Sequence, residues 1–300
     1  MRTEGHMSSR RGVRRLTVQQ LAAFADTTAE FGETELTRPW AETLIAVGVA
    51  AVIAHFSEGG ATVLAGAAAA ALAAVGVNAV RRTDGSDLQP GSEIVLAGLV
   101  GLATAGLARI VPTGVGLILV IVIGALLLRA VVIWELRLRS LSSGATRRDR
   151  VGALAVSTLI LFAASIGVAA LVPGIISVPG TPSARPDAVG PFAVLATGIG
   201  SAIAAALLAA RMASLRRERT GDIVRDALGA ALLNGLASIA FAAFGAARLA
   251  GPAGLAVLFY ARELWAAAPA GERRDPRLLL EIGVLVMATA VAVLWIGVSL

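Results

Sequence analysis

Apolar residues run along this chain in blocks, separated by short polar breaks that often carry glycine or proline. After a polar stretch over 1–38, the blocks fall at 39–56, 61–80, 93–111, 114–135, 151–172, 192–212, 226–250, 252–268 and 278–298. Most have the roughly 17–25 residues needed to cross a ~30 Å hydrocarbon core at ~1.5 Å per residue. The pattern predicts an all-α, polytopic transmembrane helix bundle of about nine spans over 39–300. The eighth block is short and carries Arg262 and Glu263, which suits a re-entrant or tilted helix as well as a full crossing.

The first 38 residues read differently. Arg10, Arg11, Arg14 and Arg15 precede a Thr17/Gln20 pair with capping-box spacing, followed by Val18, Leu21, Phe24 and Phe31 near helical spacing and by Gly32 at a stop position. This predicts a short, basic, amphipathic helix lying on the membrane surface. No apolar stretch of signal-peptide type follows the start.

Charge then gives the spans a direction. Twenty arginines lie in the N-terminal segment and in the connections after spans two, four, six and eight; the other connections hold one, Arg185. Basic connections stay on the cytoplasmic side, so the N-terminus is expected in the cytoplasm. The chain then forms four inside-to-inside hairpins plus a C-terminal helix. Trp40, Trp134, Trp265 and Trp295 fall near span ends, where interfacial anchors belong.

Composition narrows the rest. The chain is 57% hydrophobic and 15% charged, with a mean hydropathy of +0.80; a soluble domain carries about 25% charged residues. Net charge is +6, but the arginines sit in loops where topology explains them, so nucleic acid is not an expected partner. All 26 basic residues are arginine, a mark of GC-rich coding, and the expected location is the cytoplasmic (inner) membrane of a bacterium. There is no cysteine, hence no disulfide and no thiolate metal site. No metal and no cofactor are expected.

Helices in lipid associate through close packing at small residues. Ala97, Gly101 and Ala105, then Ala196, Gly200 and Ala204, then Ala227, Ala231 and Gly235 recur at four-residue spacing, and 65–74 is almost wholly Ala and Gly. These spans are expected in the bundle centre, and the Leu/Ile/Val-rich run over 117–128 is expected to face lipid on at least one side. Ala108-Arg109-Ile110 and Ala247-Arg248-Leu249, each before a proline/glycine turn, suggest a parallel duplication of 39–150 in 151–268.

Ionisable groups inside spans are the candidate chemistry, because burying each costs about 2.5–3.5 kcal/mol on insertion scales. Arg109 and Arg248 lie near the outer ends and can extend towards the headgroups. Arg211 reads as an anchor at an inner end. Arg129 lies deeper, at a depth comparable with Asn234, and Glu135, Glu263 and Glu281 are near the same boundary. Two readings stand: a cytoplasm-facing pocket with Arg129 as anion handle, Asn234 as hydrogen-bonding group and one of these glutamates as counter-ion, or a structural Arg–Glu pair that ties helices together. His55 beside Glu58 is too little for a metal site. No HExxH, no intramembrane Asp pair and no nucleophile–base motif occurs. Three function classes follow. The first is a carrier or flippase for a small anionic solute or lipid; the second is a non-catalytic scaffold or subunit of a homo- or hetero-oligomer; the third is a membrane-embedded enzyme acting on lipid. Partners expected besides the lipid bilayer are an anionic lipid or small anionic solute.

Overall fold

A computed structural model describes residues 38–83, 91–140, 146–175, 190–216, 219–244, 249–269 and 271–299. The amphipathic segment predicted over 17–32, most of the proline-rich connection after residue 172, and Arg248 lie outside these residues. Among the described residues there are nine α-helices and no strand: α1 Arg38–Phe56, α2 Gly60–Thr83, α3 Ser92–Ile110, α4 Val115–Ser140, α5 Arg147–Leu171, α6 Pro191–Leu215, α7 Thr220–Ala243, α8 Ala250–Ala267 and α9 Pro276–Ser299. Eight of them, all but α8, are long and apolar enough to cross a membrane. The chain is built as a multi-pass membrane protein.

The helices form two groups. In the first, α3 packs against α1, α2 and α4; in the second, α6, α7, α8 and α9 pack in succession. Helix α5 lies between the groups, against α3 and α2 on one side and α6 and α8 on the other. Two-thirds of the spanning windows of α3 and α5 are buried, 67% in each. Helix α9 touches the bundle through α8.

Small residues set the closest crossings. A methyl carbon added at Gly106 on α3 would lie 2.2 Å from Gly167 Cα on α5, and one at Gly101 would lie 2.5 Å from Ala69 O on α2. Real Cβ atoms do not come this close, so these pairs define how near the helix axes run. Helices α6 and α7 cross at Gly198 and Gly235, where a methyl on either meets the other's carbonyl oxygen within 3.4 Å.

The expectation about the centre needs correction. Helix α3 is central as its Ala97/Gly101/Ala105 stripe predicts, but α7 has only 22% of its spanning window buried and α2 only 33%, whereas α5, which lacks such a stripe, is central. An alanine surface is as compatible with lipid as with protein, so a small-residue helix needs only one close face. Helix α4 is 17% buried, with Ile118, Val122 and Leu126 exposed, as its apolar run implied.

Helix α8, expected to be re-entrant or tilted as readily as a full crossing, is not among the helices long and apolar enough to cross. It runs beside α7 from Gly254, whose added methyl would meet the Phe241 ring at 2.9 Å, to Arg262, whose Nη2 lies 2.9 Å from Asp226 Oδ1. Its two charges, Arg262 and Glu263, pair with each other and with Asp226 and Arg216.

Candidate functional site

Buried charge concentrates at the two ends of the bundle. At the arginine-rich end, where α2, α4 and α6 finish and α3, α5 and α7 begin, three ionic groupings occur. Arg81 Nη1 at the end of α2 lies 3.0 Å from Glu93 Oε1 in the first turn of α3, both side chains being buried. Glu93 Oε1 also accepts the Gly91 N–H at 3.3 Å, so it satisfies an orphan amide at a helix start as well as a guanidinium.

The second grouping ties four helices. Arg211 on α6 donates from Nε to Glu135 Oε1 and Oε2 at 3.2 and 3.1 Å and from Nη2 to Oε2 at 2.6 Å. Its Nη1 donates to Ser157 Oγ at 2.7 Å and to Ala153 O at 3.3 Å on α5. Ser92 at the start of α3 donates to Glu135 Oε1. Both charged side chains are 1% exposed. A bidentate guanidinium–carboxylate pair with its remaining donors and acceptors engaged is the arrangement in which a buried pair recovers its desolvation cost. It also joins the first helix group to the second, since Glu135 is on α4. Arg211 is therefore an internal tie, where the sequence suggested an interfacial anchor.

The third grouping is a closed ring of two arginines and two carboxylates. Arg216, just past α6, bonds Asp226 Oδ2 on α7 and, at 2.7 Å, Glu263 Oε2 on α8. Arg262 on α8 bonds Asp226 Oδ1 at 2.9 Å and Glu263 Oε1. Each carboxylate thus bridges both guanidiniums, and the ring as a whole is neutral. Next to it, Arg273 stacks 5.3 Å from the Trp265 ring centroid and donates to the Ala266 and Ala268 carbonyls that end α8, a favourable place for a cation.

At the opposite end, Arg109 is buried and does not extend outwards. Its Nη1 donates to Ala54 O at 2.9 Å and Ser57 O at 2.5 Å, and its Nε to Ala170 O at 3.1 Å. One guanidinium from the last turn of α3 thus serves carbonyls at the C-terminal ends of α1 and α5. Helix ends leave such carbonyls unpaired and carry partial negative charge, which a cation meets. Two further bonds close this end: His55 Nδ1 with Ala108 O at 2.6 Å, and Thr62 Oγ1 to Leu171 O at 2.5 Å.

The sequence-predicted site residues are distributed as follows. Glu263 is fully buried in the ring. Asn234 is buried where α7 meets α6, its Nδ2 donating to Ala230 O at 3.2 Å, one turn from the Ser238–Ser201 hydroxyl pair. Arg129 is half-buried on α4, a helix that packs on α1 and α3, while Asn234 belongs to a helix that packs on α6 and α8. Glu281 is exposed on α9. Arg109 closes the opposite end, and Arg248 lies outside the described residues. Arg216 and Asp226, the partners that complete the ring, fall outside the predicted spans or at their edge. Among the described residues no group of three or more His, Asp or Glu side chains is placed to hold a metal ion.

Comparison with protein-family models, curated proteins and solved structures yields no match to this chain.

Proposed function

We propose that this protein is a carrier or flippase for a small anionic solute or lipid, spanning a bacterial cytoplasmic membrane nine times with its N-terminus in the cytoplasm. The observation that carries the reading is the Glu135–Arg211 pair, a buried ionic bond that joins two helix groups at one end of the bundle. Apolar side chains of similar volume often hold such groups together about as firmly. An ion pair differs in that its members can take other partners when the groups part. Helix α5, in contact with both groups, is the natural pivot, and the neutral Arg/Asp/Glu ring beside the pair supplies guanidiniums for an anionic group. The twenty-to-one loop arginine imbalance supports the orientation.

The test is reconstitution into vesicles. Entry of radiolabelled carboxylates and phosphates, and movement of labelled phosphatidylglycerol between leaflets, are measured for wild type and Glu135→Gln. Transport of at least one anionic species, altered by the substitution, is expected; vesicles that move neither class above empty controls would sink the reading.

A second reading, that of a non-catalytic subunit of a membrane complex, has its own support. Helix α9 contacts the bundle through α8 and leaves Leu280, Val284, Met287 and Val291 exposed at alternating three- and four-residue spacing, the geometry of a helix-packing seam. Since the chain has no native cysteine, oxidation of single-Cys variants along this seam would reveal a second copy directly.

A further inference from the structure

The four members of the charged ring are not equivalent. Glu263 shows no side-chain exposure and is adjacent to Arg262 on the same helix, so it travels with that guanidinium. Asp226 comes from another helix and is the most exposed member, at 22% against 10% for Arg216 and 14% for Arg262. Its two carboxylate oxygens each take a different guanidinium: Oδ2 bonds Arg216 and Oδ1 bonds Arg262. Asp226 is thus a carboxylate shared by two guanidiniums, one nitrogen from each, with Glu263 shared in the same way as their buried counter-ion.

We infer that Arg216 and Arg262 form a preformed clamp for an oxyanion, a carboxylate or a phosphate group, of which the Asp226 carboxylate is the internal occupant. The inference rests on the carrier reading and names the substrate subsite within it. Guanidinium forks match carboxylate and phosphate oxygens in shape and charge, and the Asp226 bridge demonstrates that one such group spans the distance between them. Exchange of Asp226 for a ligand monoanion keeps the charge around the two arginines balanced, so neither guanidinium is left unpaired in a poorly solvated place. The Asp226 side chain is the most exposed of the four and belongs to α7, so its swing out of the ring would leave the Arg262–Glu263 pair on α8 in place. The oxyanion reaches the clamp either as a free solute or as the phosphate of a lipid.

The experiment uses the full chain in phosphatidylcholine nanodiscs. Inorganic phosphate is titrated calorimetrically in one arm; in the other, the discs contain phosphatidic acid and the melting temperature is read. Asp226→Asn removes the internal anion from the clamp and is expected to tighten binding by about tenfold or more, the equivalent of one charged hydrogen bond. Adding Arg262→Gln to that variant should abolish the gain, and Asp226→Glu should bind as weakly as wild type. A gain confined to the phosphate arm identifies a solute site, and a gain confined to the phosphatidic acid arm a headgroup site; either supports the clamp. If Asp226→Asn is poorly folded, the clamp requires phosphate or phosphatidic acid to raise its melting temperature more than that of wild type. Equal binding by Asp226→Asn and wild type to both probes, or a gain that survives Arg262→Gln, overturns the inference. Vesicle transport without this pattern would overturn the clamp and leave the carrier reading standing; the pattern without transport would do the reverse.

Discussion

Gly106 on α3 and Gly167 on α5 meet backbone to backbone: a side chain on Gly106 would strike Gly167, and one on Gly167 would strike the main chain at Leu102 and Ala103. This crossing brings the two most enclosed helices together and sets the spacing of the helices that pack around them. Gly106→Val should therefore be among the most damaging single substitutions, because the nearest atoms are main chain and cannot turn aside. Overpacking of this kind costs about 1–3 kcal/mol or more. Gly283→Ala on α9 meets nothing within 4 Å and should leave the melting temperature of the purified protein unchanged; equal effects of the two substitutions would contradict the crossing.

Removing one member of the Glu135–Arg211 pair leaves a buried charge without its counter-ion. Glu135→Leu or Arg211→Met alone should destabilise by about 3–5 kcal/mol, whereas the double substitution should recover much of the loss. Reversible unfolding in mixed micelles, analysed as a double-mutant cycle, measures the coupling. Additive losses would show that the two side chains act independently.

Arg109 should behave as a structural tie. Arg109→Ala removes three bonds from a charged donor, each worth about 1.5–3 kcal/mol in comparable settings, and leaves carbonyls at the ends of α1 and α5 to find other partners. A lowered melting temperature is expected, with the same shift in neutral and anionic lipid. A shift that appears only with anionic lipid would indicate a headgroup contact instead.

The predicted orientation can be read chemically. Single cysteines at Glu58 and Thr113, in connections after α1 and α3, should react with an impermeant maleimide from outside intact cells. Cysteines at Arg219 and Glu272, in connections after α6 and α8, should react only after permeabilisation. All four positions are exposed. The opposite labelling pattern would invert the topology.

The blocks of apolar residues made the spans legible because the hydrocarbon core imposes one length on every crossing. The third span, expected over 93–111, is observed as Ser92–Ile110. Boundaries moved where charged residues are helical. Helix α7 begins at Thr220, six residues before the expected start, because Arg225 and Asp226 are satisfied by Asp222, Arg216 and Arg262 and need no loop. Helix α5 begins at Arg147 because Thr146 and Asp149 form a reciprocal capping box, a four-residue signal in the sequence. The candidate site was half legible. Glu263 and Arg262 stood out as charges within an apolar block; Arg216 and Asp226 did not, since loop-like surroundings give an arginine or aspartate no reason to be remarked. Which helices lie at the centre was the least legible feature. Leu, Ile and Phe suit lipid and protein interiors equally, so the apolar face of α5 carries no mark of its partner.

The Glu135–Arg211 bond has a further consequence during synthesis. Glu93 and Arg109 on α3 find Arg81 and the end of α1 already made, but Glu135 precedes its arginine by 76 residues. At ~5–20 residues per second, the ribosome needs roughly 4–15 s to deliver Arg211. Over that interval the carboxylate of the nascent α4 lacks its guanidinium, so this end of the first helix group cannot take its final contacts until α6 of the second has been made.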